Sequence, residues 1–267
     1  GKIRTWLKRG DKAVIELGYD GTYFKEFEGY ITEVGSDFPI VILFEDEMYK
    51  LKQGTINVSV QKTTLASLLQ RYVKGYEIDA ANIEIGSILQ ERITAALLLE
   101  YLKDEYGIYS YFQNGVLVSG KEVPSQSLGN VNYQLETNVR PDSNNLVYQL
   151  ADALLVEINA SSKSSTGDSI DVTVGDAGGE YVRKTFYGID SEAALKVLAN
   201  RELERLKVDG YKGSFDTYGE PFIDHGYTAT LSSYLYPERN GTFNVKEVIT
   251  TFSMDGYKRK VTLDRAA

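Results

Sequence analysis

Residues 209–263 constrain the fold more than any other stretch. They read D-G-Y-K-G-S-F-D-T-Y-G (209–219), H-G-Y-T-A-T-L (225–231) and G-T-F-N-V-K-E-V-I-T-T-F-S-M-D-G-Y-K-R-K-V-T-L (241–263). Phe243, Val245 and Glu247 alternate with Asn244, Lys246 and Val248. Tyr257, Arg259 and Val261 alternate with Lys258, Lys260 and Thr262. A period of two, rich in β-branched and aromatic residues, marks strands with one face buried. Asp255-Gly256 stands between the last two runs, and Asp-Gly favours a tight hairpin because both residues tolerate the left-handed region. The stretch is expected to be a meander or small barrel closed by that hairpin.

The first sixty residues use the same grammar. Residues 13–17 predict a strand ending in the turn Gly18-Tyr19-Asp20-Gly21, and 23–33 predict its partner, with Gly29 as a bulge or close approach. Asp37-Phe38-Pro39 breaks the pattern, 40–44 predicts a buried strand, and 56–60 alternates again. From Thr63 the period changes. Thr63 or Thr64 can cap a helix carrying Leu65, Leu68, Leu69, Tyr72 and Val73, with Gly75 as a stop. A second stripe, Ile93, Leu97, Leu98, Tyr101 and Leu102, ends at Gly107. Residues 109–112 and 116–119 flank Asn114-Gly115 and predict a hairpin with a type I′ turn. Residues 63–123 therefore form a small α/β module.

Residues 124–130 read as a linker. Residues 146–158 fit a helix or two strands, and the alternation of Val156, Ile158 and Ala160 favours strand. Residues 161–167 form a polar turn, 169–174 and 181–187 predict strands, and Asp190 or Ser191 caps a last helix striped by Leu195, Leu198, Ala199, Leu203 and Leu206.

A length of 267 residues suggests two or three subdomains. Abundant Tyr and Gly with few Pro suit short strands and tight turns. The net charge of −9 disfavours free binding to nucleic acid or anionic lipid. No apolar run approaches the ~20 residues of a membrane helix, and no signal peptide is visible. The absence of cysteine excludes disulfides, thiolate chemistry and cysteine-ligated zinc, and suits a bacterial cytoplasm. The chain opens at Gly1 without Met and soon enters a strand pattern, which suggests a trimmed start.

The residues that could carry chemistry are few. His225 beside Asp224 could be a general base, but its place at a strand start reads as a turn histidine. Glu45-Asp46-Glu47 could offer paired carboxylates to a glycosidase, yet neighbours on a strand point to opposite faces, so a solvated loop fits better. Asp168, Asp171, Asp176 and Asp190 are spaced too loosely for a calcium loop and read as turn and cap residues. Gly175-Asp176-Ala177-Gly178-Gly179 follows a strand but lacks the lysine and helix of a phosphate loop, so it reads as a hairpin turn. No G-x-S-x-G elbow is present. No catalytic, cofactor-binding or metal-ligating residue is assigned, and no enzyme activity is expected.

The segments G-T-F-N-V-K-E-V-I-T-T-F-S (241–253) and G-Y-K-R-K-V-T-L (256–263) resemble the end of the bacteriophage late-control-D family, the baseplate hub proteins of contractile tails, related to the hub half of type VI secretion spikes. D-G-Y-K-G-S-F-D-T-Y-G-E-P (209–221), followed by His225-Gly226, resembles the segment before it. L-K-R-G-D-K-A-V-I-E-L-G (7–18), F-E-G-Y-I-T-E (27–33) and E-M-Y-K-L (47–51) resemble the family's first barrel, which usually has more sequence before the R-G-D-like turn. The resemblance implies an α+β, mainly β fold with two small β-barrel-like domains. These are residues 1–62, lacking opening strands, and residues 124–267, with one helix packed on the second barrel; residues 63–123 are inserted between them. It implies a homotrimeric ring in a virion tail baseplate, assembled in the bacterial cytoplasm. That ring matches a six-fold tail tube to a three-fold spike, contacts other baseplate proteins, and passes DNA or a tape-measure protein without binding it. No cofactor and no membrane are involved. The rival expectations are a carbohydrate- or peptide-binding β-module, which would be monomeric with an aromatic groove, and a cell-wall hydrolase component.

Overall fold

The computed structural model describes residues 6–35, 39–121, 128–140, 144–163, 169–187, 189 and 191–266. The chain divides into two compact units, one within Gly1–Glu122 and one within Val123–Ser164 and Asp168–Ala267.

The first unit opens with an antiparallel meander of β1 (Lys12–Tyr19), β2 (Thr22–Val34) and β3 (Ile42–Glu45). Asp20 and Gly21 both have positive φ, as the tight β1–β2 turn requires. At Gly29 a Cβ would lie 2.2 Å from the Glu45 carbonyl oxygen, so the glycine marks the close approach expected from the sequence. The segment 40–44 departs from expectation. Its strand starts at Ile42, and Ile40, Val41 and Leu43 are exposed. β3 is an edge strand, and Phe44 meets Phe27 edge-on. The break at Asp37-Phe38 lies outside the described residues.

The chain then continues through α1 (Met48–Leu51), β4 (Ile56–Val60), β5 (Thr63–Thr64), α2 (Leu65–Tyr72), β6 (Glu77–Ala80), β7 (Glu84–Ile85), β8 (Ile88–Ile93), α3 (Ala95–Tyr106), β9 (Ser110–Gln113) and β10 (Val116–Ser119). Thr64 caps α2 by accepting from the Ser67 N–H, and Thr94 caps α3 by accepting from the Leu97 N–H. Gly107 closes α3 in the left-handed conformation. The stripe of α3 is Ala95, Leu98, Leu99 and Leu102; Leu97 faces solvent and Ile93 belongs to β8. β9 and β10 form the expected hairpin through Asn114-Gly115, both with positive φ, and β6 adds in parallel to β10.

The second unit contains β11 (Asn130–Gln134), β12 (Val147–Gln149), a 3-10 turn (Ala151–Ala153), β13 (Val156–Lys163), β14 (Ser169–Gly175), β15 (Glu180–Tyr187), α4 (Glu192–Leu206), β16 (Gly210–Tyr218), β17 (Thr228–Ser232), a second 3-10 turn (Pro237–Arg239), β18 (Gly241–Ser253) and β19 (Gly256–Ala266). One sheet runs β11-β17-β18-β19-β16-β12 and the other β14-β13-β15. Tyr133, Phe215, Leu231, Val245 and Val261 fill the core of the larger sheet. Leu195, Ala199 and Leu206 of α4 pack on Val156, Ile158, Ala160, Val172 and Val174 of the smaller one. The expected helix is therefore present, and it covers the three-stranded sheet.

Five local features differ from expectation. The linker expected at 124–130 gives way to β11 at Asn130, which pairs in parallel with β17; residues 124–127 lie outside the described residues. The polar turn at 161–167 is strand through Lys163. Ser161 and Ser162 are buried, Ser162 Oγ accepting from the Ile189 N–H at 3.2 Å, while 164–167 lie outside the described residues. The alternation at 243–248 slips. Bulges at Phe243/Val245 and Val245/Glu247 leave Glu247 exposed and let Val248 pack on the core. The last hairpin turns one residue early, through Met254-Asp255, with Ser253 opposite Gly256. Ser191 precedes α4 without a side-chain cap bond, and Asp190 lies outside the described residues.

Candidate functional surfaces

The carboxylate run 45–47 is structural. Glu45 pairs with Lys52 at 2.5 Å. Asp46 accepts from the Met48 N–H at 2.9 Å, and burial raises its pKa. Glu47 accepts from the Tyr30 hydroxyl at 3.0 Å and the Tyr76 hydroxyl at 2.6 Å. Burial, then the bond to Glu47, pushes the Tyr76 phenol well above its usual range. Tyr30 stacks on Tyr49 and carries Lys50 over its ring. These contacts tie α1 and β2 to the segment before β6. Glu45 also lines a cavity of about 530 Å3 with Glu100, and there its carboxylate is paired with Lys52.

His225 sits in the turn before β17, where its N–H donates to Asp224 Oδ1 at 2.8 Å. Asp176 accepts from the Val156 N–H and pairs with Lys207 at 2.5 Å. Asp171 lies on β14 opposite Ser161; Asp168 and Asp190 lie outside the described residues. The glycine-rich stretch 175–179 was expected to be a hairpin turn between neighbouring strands. Instead it crosses the end of β13, which lies between β14 and β15. Gly178 N–H donates to Glu157 Oε2, and a Cβ at Gly179 would strike the Leu155 backbone. The glycines therefore serve a tight crossover. Among the described residues no group of three or more His, Asp or Glu is placed to hold a metal ion, and no helix is long and apolar enough to cross a membrane.

What the sequence reading missed is a pair of overhanging hairpins. β2 meets β3 only through Tyr30–Val34, so among the described residues 22–29 pair with β1 alone. Tyr19, Tyr23 and Phe24 are exposed there. β18 likewise pairs with β17 through 241–244, with Val245 bonded to Gly226 and Tyr227 just before it, so among the described residues 247–253 pair with β19 alone. Ile249, Phe252 and Met254 are exposed on that overhang. An open strand edge with apolar neighbours is a ready template for another strand, and proteins normally cover or charge such edges. The available signal was strand length, since β2 and β18 each run 13 residues.

The base of the second overhang is held by a buried arginine. Arg259 Nε donates to the Gly219 carbonyl at 2.7 Å, one terminal nitrogen to Thr250 Oγ1 at 2.9 Å and the other to the Tyr257 hydroxyl at 2.6 Å. Its guanidinium also lies over the Phe222 and Tyr257 rings. Beside this sheet is a cavity of about 260 Å3, walled by Leu154, Leu206, Val208 and Leu263. The Lys212–Glu180 pair at 2.6 Å and Lys246 also line it.

This fold is shared with phage tail proteins. The tail protein from Neisseria meningitidis MC58 superimposes with a TM-score of 0.53 at 16% identity, over 90% of this chain and 80% of that one. The 43 kDa tail protein of prophage MuSo2 from Shewanella oneidensis superimposes with a TM-score of 0.55 at 12% identity, over 97% of this chain and 84% of that one. No protein-family model matches the sequence, and no curated protein matches it.

Proposed function

We propose that this chain is a structural baseplate hub protein of a phage-like contractile tail. Three copies form a ring that joins a six-fold tail tube to a three-fold spike. The two overhanging, open-edged hairpins carry this reading, because each unit offers an edge to which another strand can add. The likeness of fold to two tail proteins supports a place in a tail. In this reading residues 1–62 and 124–267 each supply a barrel, closed or extended by strands of neighbouring copies, and 63–123 is an insert facing other baseplate proteins. Three chains with two related barrels present six similar surfaces to the tube while keeping three-fold symmetry towards the spike.

No catalytic group is needed for such a role. The net charge of −9 suits a lumen through which DNA slides without being held. End-on electron micrographs of the purified protein test the proposal. A ring of six lobes with three-fold symmetry is expected, and isolated single-chain particles at high protein concentration would overturn it.

A further inference from the structure

The cavity beside the larger sheet and the tip of the β18–β19 hairpin have complementary chemistry. The tip ends in Met254, fully exposed, with exposed Phe252 behind it and exposed Asp255 after it. It is an apolar knob followed by a carboxylate. The cavity has aliphatic walls from Leu154, Leu206, Val208 and Leu263 and enough volume for one such side chain. Lys246 lies on its lining, exposed, and among the described residues it has no ion-pair partner. Lys212, also on the lining, already donates to both oxygens of Glu180.

We infer that this cavity is a socket for the hairpin tip of a second copy of the chain. Met254 of that copy would enter the aliphatic pocket and its Asp255 would pair with Lys246. A chain cannot fill its own socket. Lys246 and Met254 lie on the same extended hairpin, eight positions apart, which is roughly 26 Å at ~3.3 Å per residue. Knob and socket are different surfaces, so the contact is head-to-tail, and such a contact closes into a ring when the rotation between copies allows it. The methionine supplies buried apolar area and adapts to an irregular pocket. The charge pair fixes which end of the tip enters, and it disfavours wrong registers. This inference rests on the self-association proposed above and names the surfaces that carry it.

Light scattering over a dilution series tests it with Asp255→Lys, Lys246→Glu, the double variant and Met254→Ser. All three substitutions fall on exposed residues, so at concentrations where every protein is dissociated the variants' unfolding midpoints should match the parent's. The parent is expected to be trimeric. Each single charge reversal should raise the concentration at half-dissociation by about tenfold or more, and the double variant should return it to within about threefold of the parent. Met254→Ser should weaken assembly by a similar factor. A trimeric parent with unchanged variants would overturn the socket and leave the trimer standing. Weak singles without rescue in the double variant would overturn the pairing of Asp255 with Lys246. A monomeric parent would overturn both the socket and the assembly beneath it.

Discussion

At the scale of single residues, Arg259 and Gly219 set the shape of the C-terminal sheet. A buried guanidinium is tolerated because fixed acceptors and ring faces meet it. Arg259→Leu leaves the Gly219 carbonyl and Tyr257 hydroxyl without this donor and should cost about 3 kcal/mol in urea unfolding. A loss under ~1 kcal/mol would show that the network contributes little. Gly219 is required for a different reason: a Cβ there would lie 2.1 Å from the Tyr257 ring. Gly219→Ala should cost about 2 kcal/mol by overpacking. Buried Tyr133 and half-buried Tyr76 and Tyr111 add a pH dependence. Burial raises Tyr76, Tyr111 and Tyr133 above the ordinary value of 10.0, Tyr111 to about 12 with help from Asp79. Raised folded-state values mean that the neutral form is favoured in the fold. The stability they lend is whole below pH 10 and is lost as pH climbs from 10 through 12. Phenolate absorbance followed against circular dichroism should show some tyrosines ionising only as the fold is lost. Complete titration near pH 10 with the fold intact would contradict this.

At the scale of elements, the helices of the first unit rest on their caps. Thr64→Ala removes the acceptor for the Ser67 N–H and should cost about 1 kcal/mol; equal thermal midpoints for the two proteins would show that α2 is held by packing alone. The Thr64 cap and the Gly107 stop were legible in the sequence because threonine at the start and glycine at the end are local signals, whereas the Thr94 cap was not read and α2 ends at Val73, before Gly75. The β1–β2 and β9–β10 turns were legible for the same reason. What escaped was set by distant partners. The order β14-β13-β15 depends on which strand fills the middle, and 175–179 alone cannot tell a hairpin from a crossover. The phase slip at Val245 comes from bulges against β19. β11 alternates strictly, with Val131 and Tyr133 buried, but it is only five residues long, and it gains its place through the parallel ladder with β17. The candidate surfaces escaped too, since an overhang exists only relative to the shorter strand beside it. The functional reading drew instead on ordered segments at both ends of the chain.

At the scale of the whole molecule, the proposed ring would pass its cargo without holding it. The excess of 38 acidic over 29 basic side chains should leave DNA unbound even at low salt. Tight, salt-sensitive binding in a fluorescence titration would argue for a nucleic-acid-binding role instead. The central claim is self-association through surfaces that a single copy leaves open. The measurement that meets it most directly is the absolute mass of the purified protein by light scattering. The account predicts about three times the 29.8 kDa of one chain, and a mass of one chain that persists as concentration rises would contradict it.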